Sequence, residues 1–196
     1  MFKTTAILFG LLISFSTLAS DRFVMITFHG LGGFESDRLE ESRNISEELS
    51  NVGVERMYNG GHGVNKRKWQ KVLDNFDCRN GQQMNEDLGL IIIGYSWGAR
   101  KSYEFSKAYH KKCGQKAERA YMIDGIQKLI TSFRHAPVAK VCKNYYKRKG
   151  IISGKALKGC ENSELTEICV NTSGMQCHQV VLREGFRLVM DDITSL

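Results

Sequence analysis

Six successive residues, Leu88-Gly89-Leu90-Ile91-Ile92-Ile93, carry no polar side chain. A strand with one wet face alternates polar and apolar residues, so a run that is apolar throughout belongs in the middle of a parallel sheet covered by helices on both sides. That single segment predicts an α/β chain, and its neighbours agree. Phe23-Val24-Met25-Ile26-Thr27-Phe28 reads as a second buried strand, stopped by His29-Gly30-Leu31-Gly32-Gly33. Val54 to Tyr58, Ala120 to Ile123 and Leu165 to Val170 read as further strands, and a glycine-rich loop runs from Asn59 to Gly63. Helical periodicity separates them. It covers Ser36 to Asn51, Lys66 to Phe76 with the stripe Trp69, Val72, Leu73 and Phe76, Ala99 to Cys113, and a closing helix from Val180 to Ile193. Strand and helix alternating at this spacing predict a mostly parallel sheet with right-handed crossovers. Residues 125 to 160 follow no clear period.

The 196 residues contain no repeat and only one proline, Pro137, which is one domain's worth of chain. With 42% hydrophobic and 25% charged residues, the composition excludes a disordered, collagen-like or multi-span membrane chain. Residues 1–19 have the layout of an export signal: Lys3, an apolar run from Ala6 to Phe15, and small residues closing at Thr17-Leu18-Ala19. The run is shorter than the roughly 20 residues of a spanning helix. The expectation is a cleaved signal, 1–19, followed by one domain, 20–196, in a secreted or periplasmic protein. Six cysteines in that domain fit an oxidising compartment, and disulfides are expected. No pair has Cys-x-x-Cys spacing, so no metal is expected. Fifteen pairings are open. Short spacings make Cys169–Cys177, Cys78–Cys113 and Cys142–Cys160 the simplest set.

The Leu88 run leads into Gly94-Tyr95-Ser96-Trp97-Gly98, which matches Gly-x-Ser-x-Gly with a strand before it and a helix after it. A serine on such a turn projects its hydroxyl above the sheet, and the helix N-terminus offers backbone donors to an anionic intermediate. His29-Gly30-Leu31-Gly32-Gly33 follows the first strand where a second donor is needed, so the amides of Leu31 and Trp97 are the candidate oxyanion hole. His29, Gly30, Tyr95 and His62 are expected to line the substrate site, with the His29 ring bonded to loop backbone rather than acting as base.

HGLGG after the first strand together with GYSWG after a central one resembles the small, secreted members of the α/β-hydrolase family, which includes lipases, esterases and cutinases. The resemblance spans the whole mature chain. It implies a single-domain α/β-hydrolase fold of minimal size with little or no lid, no cofactor, and a triad in the order Ser, acid, His. Ser96 is then the nucleophile. Of the later histidines, His110 lies among helical lysines and His135 in an irregular region, whereas His178 stands between the last strand and the closing helix and is the expected base. Asp124, at the C-terminal end of its strand, shares a sheet edge with Ser96 and is the expected acid. Glu161 and Glu164 are the alternatives.

What this predicts is hydrolysis of carboxylic esters through an acyl-enzyme, with an acyl ester, including lipid, as substrate. A thioesterase or amidase with the same triad, and a catalytically silent binding protein of the same fold, are the competing readings. The formal net charge is +7, and from Gly125 to Cys160 there are nine lysines and arginines and no acid. Such a stretch makes either a solvated face or a peripheral contact with an anionic membrane surface. With no nucleic-acid-binding motif in view, no nucleic acid partner is expected, and the protein is expected to be a monomer.

Overall fold

The computed structural model describes residues 22–30, 47–61, 66–125, 135–148, 150 and 153–196. The expected signal, Leu31, His62 and most of the expected 36–51 helix lie outside the described residues; of that helix, 47–51 are helical.

Six strands form one parallel sheet. They are β1 (Arg22–His29), β2 (Val54–Gly61), β5 (Leu88–Tyr95), β6 (Ala117–Ile123), β7 (Ala139–Tyr146) and β8 (Glu161–Glu164), in the order β2-β1-β5-β6-β7-β8. Every neighbouring pair is parallel. The short strands β3 (Cys78–Arg79) and β4 (Gln82–Gln83) make a separate antiparallel hairpin turned by Asn80-Gly81, both with left-handed backbone.

Each strand's alternation sorts its side chains into two cores. On one face, Phe23, Met25, Ile91, Ile93, Tyr121 and Ile123 meet Leu49 and the closing helix α3 (Gly174–Ile193) through Val181, Val189 and Ile193. On the other, Val24, Ile26, Phe28, Leu90 and Ile92 meet α1 (Lys66–Leu73) and α2 (Gly98–Cys113) through Val72, Leu73, Phe105 and Tyr109. Every residue of β5 is buried, as a strand covered on both sides must be. The molecule is therefore an α/β protein of three layers.

The structure corrects the sequence reading in the last third of the chain. Residues 139–146, read as irregular, form a full parallel strand, and β7 is hidden in the sequence because Lys140 and Lys143 interrupt its apolar pattern. Those lysines pair with Glu118 and Asp192. The last strand is Glu161–Glu164, not Leu165 to Val170, where Thr166–Cys169 forms a 3₁₀ turn. Pairing with β7 holds this polar edge strand, so side-chain propensity does not reveal it. The closing helix begins at Gly174, six residues before the expected start, because Gln176 Oε1 accepts from the Ser173 hydroxyl at 2.9 Å and from its backbone N–H at 3.4 Å. Residues 59–61, read as loop, extend β2.

Three disulfides join Cys78 to Cys113, Cys142 to Cys160 and Cys169 to Cys177. They tie the hairpin to the end of α2, β7 to the loop before β8, and the 3₁₀ turn to the first turn of α3. Bonds of this number fit an oxidising, extracellular or periplasmic compartment. Among the described residues, no helix is long and apolar enough to cross a membrane.

Candidate functional site

From β1 the chain passes outward to β2 on one side and, after returning, builds β5 to β8 on the other. In a parallel sheet the reversal leaves a crevice beyond the C-terminal ends of the two strands that flank it, here β1 and β5. His29-Gly30 and Tyr95-Ser96 end those strands.

Ser96 turns the chain from β5 into α2 with a φ of 55°. That left-handed backbone costs a non-glycine residue on the order of 1–2 kcal/mol. Two hydrogen bonds hold it, from the Ser96 N–H to the Ile123 carbonyl at 3.0 Å and from the Ala99 N–H to the Ser96 carbonyl at 3.2 Å. The flanking glycines are steric necessities. A Cβ at Gly94 would overlap Ser102 and Ala99, and one at Gly98 would overlap the Phe28 carbonyl.

Gly30 closes on the serine from β1. A Cβ there would stand 2.8 Å from both Cβ and Oγ of Ser96 and 3.4 Å from the Trp97 amide nitrogen. The end of β1 thus faces the hydroxyl and the amide expected to serve as an oxyanion donor, while Leu31, the other expected donor, is outside the described residues. His29 Nδ1 lies 3.2 Å from the Gly30 carbonyl, a backbone contact of the kind expected for this ring.

Asp124 ends β6 with a φ of 42° and no solvent exposure. Its N–H donates to the Tyr145 carbonyl at 2.7 Å, which fixes the turn. Both carboxylate oxygens are used. Oδ1 accepts from the backbone N–H of Gly154 at 3.1 Å and of Lys147 at 3.3 Å, and Oδ2 accepts from His178 Nδ1 at 2.5 Å. An ionised carboxylate can only accept, so Nδ1 carries the proton and Nε2 is left as the basic nitrogen. The imidazole also stacks on Tyr95, with ring centroids 4.8 Å apart. Tyr95 immediately precedes Ser96, so this contact ties the histidine to the end of β5. Burial, and then the charge of Asp124, raise the Tyr95 phenol well above its usual range and keep it neutral.

His178 lies inside the first turns of α3 rather than on a loop before it, as the sequence reading had it, because the Ser173–Gln176 capping pair starts the helix upstream. The structure joins Asp124 to His178 and brings neither alternative acid to that ring. Glu164 pairs with Arg148 at 2.9 Å, and Glu161 is exposed on β8. His110 lies 3.2 Å from the Gln115 carbonyl through Nδ1, and His135 stacks on Tyr103.

Lys147 and Gly154 were not singled out in the sequence, yet both touch the carboxylate. Lys147 is fully buried, with Nζ 3.7 Å from Asp124 Oδ2. The basic stretch is accordingly less of a free surface than its composition implies. Lys140, Lys143, Lys147 and Arg148 face Glu118, Asp192, Asp124 and Glu164 within the molecule.

Among the described residues, no group of three His, Cys, Asp or Glu side chains is placed to hold a metal ion. The arrangement holds an imidazole in one tautomer against the ring of Tyr95, the residue before a strained serine that is followed by a helix N-terminus. Compared with protein-family models and with curated proteins, the sequence finds no match in either.

Proposed function

We propose that the protein is a serine hydrolase that cleaves carboxylic esters, with Ser96 as nucleophile, His178 as general base and Asp124 as the acid that orients it. The observation that carries this reading is the Asp124–His178 hydrogen bond, whose imidazole stacks on Tyr95, the residue before a serine held at positive φ between a buried strand and a helix. A core turn has no need of a left-handed serine, and a buried Asp–His pair at the same sheet edge is the partner such a serine requires. The three-layer parallel fold is compatible with the α/β-hydrolase family that the GYSWG and HGLGG segments resemble.

In this reading His178 Nε2 takes the Ser96 proton as Oγ attacks the ester carbonyl. Asp124 stabilises the imidazolium, and the Trp97 amide at the start of α2 donates to the oxyanion. The imidazolium then protonates the departing alkoxide. Water, deprotonated by the same imidazole, releases the acid and restores Ser96. Secretion or export to the periplasm fits the disulfides and the character of residues 1–19.

The test is hydrolysis of a short-to-long series of p-nitrophenyl esters, beside covalent labelling by an organophosphonate, with Ser96→Ala as control. Turnover and labelling that both vanish in the variant support the reading. Absence of both in the wild-type chain overturns it. Faster turnover of matched thioesters or amides keeps the triad and changes the substrate class.

A further inference from the structure

A lysine side chain with no solvent exposure is rare, because desolvating an ammonium costs several kcal/mol unless a carboxylate and hydrogen bonds compensate. Lys147, just beyond the end of β7, is such a residue, and its Nζ lies 3.7 Å from Asp124 Oδ2. That oxygen is the one that accepts from His178 Nδ1. We propose that Lys147 is a positioning residue of the site: its buried ammonium shares the Asp124 carboxylate with His178 and sets the lower pH limit of the base. The inference rests on the serine-hydrolase reading and adds to it a fixed charge that an isolated Ser, His and Asp set lacks.

Among the described residues, the groups that face the carboxylate and its imidazole come from four elements. His178 approaches from α3, Lys147 contributes its ammonium and its N–H from beyond β7, Gly154 gives an N–H from the segment before β8, and Tyr95 stacks on the imidazole from β5. The tyrosine is neutral, the two N–H groups are dipoles, and Lys147 brings a full positive charge. Before reaction, Asp124 and Lys147 form a neutral pair. When the imidazole gains a proton, two cations share one carboxylate in a site screened from water, so the ammonium makes the imidazolium costlier to form. Lys147 thereby opposes the gain of a second cation at the carboxylate, and its charge compensates the burial of Asp124. A lysine that served only to stabilise the fold would change the melting temperature and leave the pH dependence of Ser96 unchanged.

The experiment measures the rate of organophosphonate inactivation at Ser96, and of ester turnover, across the acid and neutral range in wild type and in Lys147→Met, which keeps the length of the stem and removes the charge. The expected result is an acid limb that moves to higher pH by about one unit in the variant, with a smaller change on the plateau. An acid limb that coincides with that of the wild type, or moves to lower pH, in a folded variant overturns the proposal. Lys147→Gln gives the same reading if Lys147→Met does not fold. Wild-type protein that is not labelled at Ser96 at any pH overturns the serine-hydrolase reading itself, and this proposal with it. Labelling of the wild type with an unmoved limb in the variant overturns the role of Lys147 alone.

Discussion

Asp124 and His178 are 54 residues apart in the chain and share a hydrogen bond of 2.5 Å because α3 runs back along the strand that Asp124 ends. Near the other end of the helix, Asp192 accepts from Tyr121 at 2.5 Å and from Arg119 at 3.1 Å, both on β6. The distance along the helix from residue 178 to 192 is about 21 Å, and that along the strand from 119 to 124 is about 17 Å. The two polar contacts pin the helix to the strand near both of the helix's ends, the long side chains of Arg119 and Tyr121 reaching across the difference, and the apolar residues between them fill the intervening core. The position of the imidazole therefore depends on how the whole helix is seated, at its far end as well as at its first turn.

Asp124→Asn is expected to lower turnover on the order of 10⁴-fold, because the amide cannot select the Nδ1-protonated tautomer or stabilise the imidazolium. It also leaves Lys147 without its carboxylate, at a stability cost of about 3 kcal/mol. The double variant Asp124→Asn/Lys147→Met should recover part of the stability and none of the activity. Thermal unfolding beside ester turnover checks both halves. Near-normal turnover in a folded Asp124→Asn protein removes the acid from the mechanism.

Gly30→Ala isolates the crevice from the fold. Gly30 is not among the residues with left-handed backbone, so alanine is allowed there conformationally. Its methyl group would stand 2.8 Å from Ser96 Oγ, and displacing the hydroxyl by a fraction of an ångström to an ångström costs roughly 10²-fold in turnover. The expected outcome is that loss with a melting temperature within a few degrees of wild type. Full activity means that Ser96 Oγ has room to move and that the end of β1 does not shape its position.

The central strand and the Gly-x-Ser-x-Gly turn were legible because each depends on residues close in sequence, and the simplest of the fifteen cysteine pairings is the one formed. Burial of Leu88 to Ile93 on both faces follows from composition alone, and Cys169 and Cys177 are within easy reach of each other. The pairing of Asp124 with His178 was implied by the family resemblance, whose order of serine, acid and histidine met an acid at a strand end, while Glu161 and Glu164 stayed open as alternatives. β7 was not, because Lys140 and Lys143 disguise a strand whose charges are met by Glu118 and Asp192 on other elements. Lys147 was illegible for the same reason carried further. One lysine of a basic run enters the core, and only tertiary structure decides which. The start of α3 is marked in the sequence by Ser173-Gly174-Met175-Gln176, a Ser-x-x-Gln capping signature.

Stability and activity should respond differently to two of the disulfides. Cys78–Cys113 spans a sequence separation of 35 and Cys169–Cys177 one of 8. Loop-closure entropy then assigns about 4 kcal/mol to the first and about 2.5 kcal/mol to the second. Cys177, however, immediately precedes His178 and anchors the first turn of α3. Replacing Cys169 and Cys177 by alanine is expected to cost less stability but more turnover than replacing Cys78 and Cys113. Unfolding midpoints and turnover of the two double variants decide this, and activity that simply follows stability in both removes any special role for the 169–177 link.

The far end of α3 predicts an acid limit for stability. Burial acts to raise the Asp192 carboxyl, but hydrogen bonds from Lys143 and Tyr121 and the charges of Arg119 and Lys143 outweigh it, so its pKa lies below the usual carboxylate range. A carboxyl lowered on folding contributes stability above its unfolded value of about 4, and that contribution fades as pH falls from there through the folded value. Asp192→Asn should therefore destabilise the protein on the order of 2 kcal/mol at neutral pH. The gap between wild type and variant should close progressively below about pH 4, where protonation makes the two side chains alike. Urea unfolding at several pH values gives the difference directly. A gap that stays constant into acid would assign the loss to packing of the helix end rather than to the charge of Asp192.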